Sequence, residues 1–95
     1  MERHPCVYIM ANRPRGVLYI GVTSNLLERV HQHKEEYVAG FTQRYRVHDL
    51  VWYEQHATME SAILREKVLK KWNRDWKIRL ITKMNPDWKD LATEI

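Results

Sequence analysis

Cysteine is almost absent: Cys6 stands alone, so no internal disulfide can form, and no CxxC or Cys/His spacing of a zinc site occurs. Glycine and proline are equally scarce, three of each, which excludes collagen-like, linker-like and Pro-rich chains. The longest apolar run is Gly16-Val17-Leu18-Tyr19-Ile20-Gly21-Val22, far short of the ~20 residues of a membrane span. Met1-Glu2-Arg3-His4-Pro5 has no apolar stretch of the kind that opens a signal peptide. What is there is ordinary globular material: 95 residues, 44% hydrophobic and 29% charged. The expectation is a single domain over residues 1–95, cytoplasmic, with no membrane and no room for a second module.

The charge is uneven. Sixteen Lys and Arg face twelve Asp and Glu, a net +4. Between Arg65 and Arg79 lie Arg65, Lys67, Lys70, Lys71, Arg74, Lys77 and Arg79 against only Glu66 and Asp75. Four Trp and five Tyr accompany them. A basic face with aromatics suits a polyanion such as nucleic acid. A merely solvated helix face has the same composition, and composition weighs the two evenly.

Cys6 to Met10 and Val17 to Val22 read as strands joined through Ala11–Gly16, an antiparallel hairpin. Asn25, with Glu28 three residues on, starts a helix that the pattern carries to about Tyr37, with Gly40 beyond it. Val38 to Arg46 reads as a loop. Val47 to Glu54 reads as a third strand, with Leu50, Trp52 and Glu54 on one side and Val51 and Tyr53 on the other. Thr58 caps a second helix to about Trp72, a short helix covers Trp76 to Lys83, and Asn85-Pro86-Asp87-Trp88 turns the chain. The order ββαβαα predicts an α+β fold: a small three-stranded antiparallel sheet flanked by helices.

Glu66 is the odd residue of the second helix, since Met59, Ala62, Ile63 and Leu69 share its sector of the helical wheel. A carboxylate in an apolar sector needs a cation, a hydrogen bond or a task. An ion pair to Lys70 or Arg29 satisfies that need, and so does a single divalent metal ion. Arg29 and His33 share the face of Leu26 and Val30, where an arginine either snorkels or holds a phosphate in its planar fork. His31 and His33 point apart, and His4, His48 and His56 read as surface residues. Tyr8 and Tyr19, central in their strands, are either packing residues or two phenols on one sheet face.

These residues carry a family resemblance. Cys6-Val7-Tyr8 followed by Tyr19-Ile20-Gly21 resembles the paired tripeptides of the GIY-YIG nuclease superfamily. Asn25-Leu26-Leu27-Glu28-Arg29 matches its helix, with its arginine at Arg29, a His-or-Tyr position at His33 and its glutamate at Glu66. Gly40-Phe41-Thr42 and Leu50-Val51-Trp52-Tyr53-Glu54 resemble the small stand-alone bacterial members, which are similar to the N-terminal incision module of the bacterial repair excinuclease. The resemblance spans about residues 5 to 90. Cys6 stands where the first glycine is expected, and Val22 where some relatives carry a lysine. The late asparagine of the family has two candidates, Asn73 and Asn85, of which Asn85 is favoured.

The resemblance implies an endonuclease that hydrolyses DNA phosphodiester bonds with one divalent ion, Mg²⁺ or Mn²⁺, in repair or recombination. It implies that Glu66 holds the ion and that Arg29 neutralises the developing charge. His33 would hold a phosphate or the attacking water. Tyr8 and Tyr19 would position that water, Tyr19 being the favoured base. Arg65, Lys67, Lys70, Lys71, Arg74 and Lys77 are then expected to contact the DNA backbone, reading structure rather than sequence. Asn85 is expected to serve a structural or phosphate-contacting role. Targeting would come from DNA structure or a partner protein. The competing expectation is a nucleic-acid-binding module of the same fold that cleaves little.

Overall fold

A computed structural model describes residues 4–36, 40 and 44–95. Strands β1 (Cys6–Ala11), β2 (Leu18–Thr23) and β3 (Asp49–Gln55) form one antiparallel sheet in the order β2-β1-β3. Helix α1 (Leu26–Lys34) follows β2, and helices α2 (Met59–Lys71) and α3 (Arg74–Met84) follow β3. A 3-10 turn at Leu91–Glu94 closes the chain.

Every residue of β1 is buried, because both faces of the central strand are covered; hence its unbroken apolar run instead of an alternating one. Val7, Ile9 and Ala11 pack with Ile20, Val51, Trp52, Ala62, Leu69 and Ile81 under α2 and α3. Tyr8 and Met10 pack on the opposite side with Leu50, Val47, Val30 of α1 and Leu91. Asp90 fastens that last turn: its carboxylate accepts from the Leu50 and Ala92 amides and pairs with Lys34.

Three local expectations change. The alternation of β3 breaks at a bulge: Ile9 pairs with Trp52 but Met10 with Leu50, leaving Val51 as the extra residue. Trp52 therefore joins Val51 on the α2–α3 side instead of following Leu50. Helix α1 stops at Lys34, capped by Glu35, and Glu36 then turns left-handed at φ 59°. Tyr37, Phe41 and Thr42 lie outside the described residues. Helix α3 starts two residues before Trp76, because Asn73 caps it by accepting from the Trp76 amide at 2.9 Å. Both other caps sit where the sequence places them, Asn25 accepting from the Glu28 amide and Thr58 from the Ser61 amide.

Candidate active site

Strand pairing brings the hairpin's aromatics together. Tyr8 lies opposite Gly21, and a Cβ on Gly21 would strike the Tyr8 ring, with Cε1 at 2.8 Å and the hydroxyl nearer still. Only glycine lets the Tyr8 ring cross β2. The sequence reading gave Gly21 no role beyond its tripeptide; its place opposite Tyr8 in an antiparallel hairpin is the signal for one.

Around Tyr8 sit Tyr19, with ring centroids 6.3 Å apart, and His33, at 5.6 Å; Tyr19 and His33 are 5.2 Å apart. Tyr8 Oη and His33 Nε2 are 2.9 Å apart, with Tyr8 2% and His33 1% exposed. Burial, reinforced by the cations of Arg29 and His48, pulls the imidazole down to about 4, so His33 is neutral at physiological pH. Its Nδ1 is buried without a partner among the described residues. A bare lone pair there costs less than a buried N–H with no acceptor, so we assign the proton to Nε2, which donates to Tyr8 Oη. The phenolic proton of Tyr8 is then not spent on His33.

Burial holds the Tyr8 phenol above its usual range; the Tyr19 and Glu66 charges add to this, and Arg29 opposes it. Arg29 of α1 and Glu66 of α2 thus both act on the same phenol, although α2 packs chiefly on β2, across the sheet from α1. The Arg29 guanidinium makes no hydrogen bond or ion pair with a described residue. Half-buried and without an ion pair among the described residues, it favours an anion.

The Glu66 side chain is 15% exposed, and its one ion pair among the described residues is to Lys70 at 3.6 Å, an i,i+4 contact. Ala62 and Leu69 of its sector are fully buried, whereas Met59 and Ile63 are exposed, so Glu66 stands at the margin of the core instead of inside it. No group of three or more His, Cys, Asp or Glu that could hold a metal occurs among the described residues. One accessible carboxylate does not suit zinc, which requires several protein ligands, but it fits Mg²⁺ or Mn²⁺ retaining most of their water.

The basic residues divide. Arg65 donates to Glu54 at 3.1 Å and lies over the Trp72 ring at 5.4 Å. Arg74 donates to the carbonyls of Arg15 and Gly16, tying the hairpin turn to α3. Lys67 and Lys71 are exposed on the outer face of α2. Lys70 and Lys77 border a cleft of about 300 Å³ with Leu18, Tyr19 and Ile20. Asn85 is 2% exposed and fully engaged: Nδ2 donates to the Val51 and Lys89 carbonyls, and Oδ1 accepts from the Lys89 amide. It staples the final turn to β3 and offers nothing outward. Asn73 is spent on its cap. His56, read from sequence as a surface residue, instead bridges Glu54 at 2.7 Å and Ser61 at 2.8 Å.

Among the described residues, no helix is long and apolar enough to cross a membrane. Comparison with known proteins agrees with the geometry. The model of the GIY-YIG catalytic domain matches residues 4–79. A "UPF0213 protein" of Bacillus pumilus (strain SAFR-032) is 31% identical over 84 residues, 88% of this chain and 86% of that protein. No solved structure matches significantly.

Proposed function

The chain belongs to the GIY-YIG family of nuclease domains, and on that premise we propose that it is a metal-dependent endonuclease hydrolysing phosphodiester bonds in DNA, in repair or recombination. What supports this reading is the packed Tyr8–His33–Tyr19 cluster, whose buried Tyr8 phenol is acted on by the charges of both Arg29 and Glu66. A packing role for the tyrosines would not require a guanidinium that acts on Tyr8 and has no ion pair among the described residues.

Arg29 takes the scissile phosphate and neutralises the charge that grows on it as water attacks. A divalent ion, when bound by Glu66, supplies Lewis-acid stabilisation of the phosphate and leaving oxygen. The water oxygen bonds to phosphorus as its proton passes to the deprotonated Tyr19 oxygen, and the ester P–O bond breaks with the leaving oxygen taking a proton from solvent water. Tyr19 is the base in this reading: it packs against Tyr8 and His33 and also borders the adjoining cleft. Tyr8 is unsuited to that task because burial holds its proton. Oriented by His33, it donates that proton's hydrogen bond to the phosphate or to the attacking water.

The test is cleavage of supercoiled plasmid, branched DNA and single-stranded oligonucleotides with Mg²⁺, Mn²⁺ or EDTA. The expected result is nicking that requires the metal. Tight, salt-sensitive binding without any cleavage would replace this reading with that of a binding module.

A further inference from the structure

Beside the site, two clefts adjoin. One of about 300 Å³ is lined by Leu18, Tyr19, Ile20, Lys70 and Lys77. The next, of about 370 Å³, is lined by Val17, Leu18, Tyr45, Arg74 and Lys77. They share Leu18 and Lys77, so together they make a trough running from Tyr19 along β2 to Tyr45. Three cations rim it, and no carboxylate among the described residues lines it. Other clefts among the described residues differ: one includes Asp75 and another Glu94. The floor of Val17, Leu18 and Ile20 is aliphatic, and the far end carries the Tyr45 ring, 40% exposed, with the Arg44 guanidinium 5.5 Å from its centroid.

We propose that this trough is a binding site for one nucleic-acid strand, extending from the scissile linkage towards Tyr45. Lys70 and Lys77 contact successive phosphates, the aliphatic floor meets the sugars, and Tyr45 stacks on a base. Several cations on the rim, an aliphatic floor and a tyrosine ring suit a polynucleotide strand; a free phosphate needs only the first. Arg74 keeps its charge on the trough while its donors hold the turn. Lys70 belongs both to the trough and to Glu66, which places the first flanking phosphate next to the metal carboxylate. The inference rests on the nuclease reading for its direction, but not on cleavage. It also separates the lysines of α2: Lys70 faces the strand, whereas Lys67 and Lys71 do not.

The test is binding of fluorescein-labelled oligothymidylate in EDTA, where a metal-dependent enzyme cannot cut, over a series of salt concentrations. An oligouridylate arm distinguishes DNA from RNA as the source of the strand. Lys77→Gln is expected to weaken binding several-fold and to lower the salt slope by about 0.7, the loss of one phosphate contact to a single strand. Tyr45→Ala is expected to weaken binding with the slope unchanged, and Lys67→Gln to change neither. Circular dichroism of each variant confirms the fold. Equal losses at Lys67 and Lys77 would reduce the trough to general surface charge, and no loss at Lys77 or no binding by the wild type would overturn it. Because cleavage is read separately in Mg²⁺, binding without cleavage would overturn the nuclease reading and leave the trough standing.

Discussion

Unfolding in acid lets His33 take up a proton that its buried, folded environment disfavours. The imidazole titrates near 6.5 in the unfolded chain and at about 4 when buried against Tyr8, so between those values the unfolded state binds more protons and stability rises with pH. Lowering the pH from 6.5 to 4 is expected to remove up to about 3 kcal/mol. Urea unfolding across that window checks it, and His33→Gln should flatten the profile. An identical slope in the variant would place the titrating group elsewhere. Gly21→Ala is expected to destabilise by about 1–3 kcal/mol, since the new methyl falls on the Tyr8 ring in a packed interior; thermal unfolding measures it. Tyr8, Tyr19, Arg29, His33 and Glu66 were all legible as candidates because tripeptide spacing and helical periodicity expose them. The tautomer of His33 was not, since it follows from which ring nitrogen burial leaves without a partner.

Among the elements, those with a local signature were legible. Asn25 and Thr58 announce their helices through side chains that accept amides three residues on, and β1 through its apolar run. The bulge in β3 was hidden, because pairing with β1, and not β3's own alternation, decides that Val51 is the extra residue. The role of His56 was hidden too, its partners Glu54 and Ser61 lying on a strand end and the next helix. The 85–89 turn depends on Asn85, which also braces Trp88, a bulky residue at φ 52°. Asn85→Ala is expected to cost about 1–3 kcal/mol, the penalty for orphaning buried backbone groups. Cleavage per folded molecule should be unchanged, and a selective loss of activity in a variant of normal melting temperature would instead give Asn85 a substrate contact.

At the scale of the molecule, net charge indicated a polyanion without saying where it lies. The fold narrows it by spending Arg65 on Glu54 and Trp72 and Arg74 on the hairpin turn, while Arg29, whose charge acts on Tyr8 and His33, has no ion pair among the described residues. A three-stranded sheet covered on both faces is the means of uniting groups from two helices that never pack on the same side. The central claim is that Glu66 serves a metal and not merely Lys70. The direct measurement is the rate of plasmid nicking in Mg²⁺ by wild type and by Glu66→Gln, with melting temperatures taken in parallel. The expected result is a loss of at least about a hundredfold, of the size that removing one transition-state stabiliser produces, with folding nearly intact because the ion pair to Lys70 is long and weak. Equal nicking by both proteins, or a loss that merely tracks unfolded protein, would contradict it.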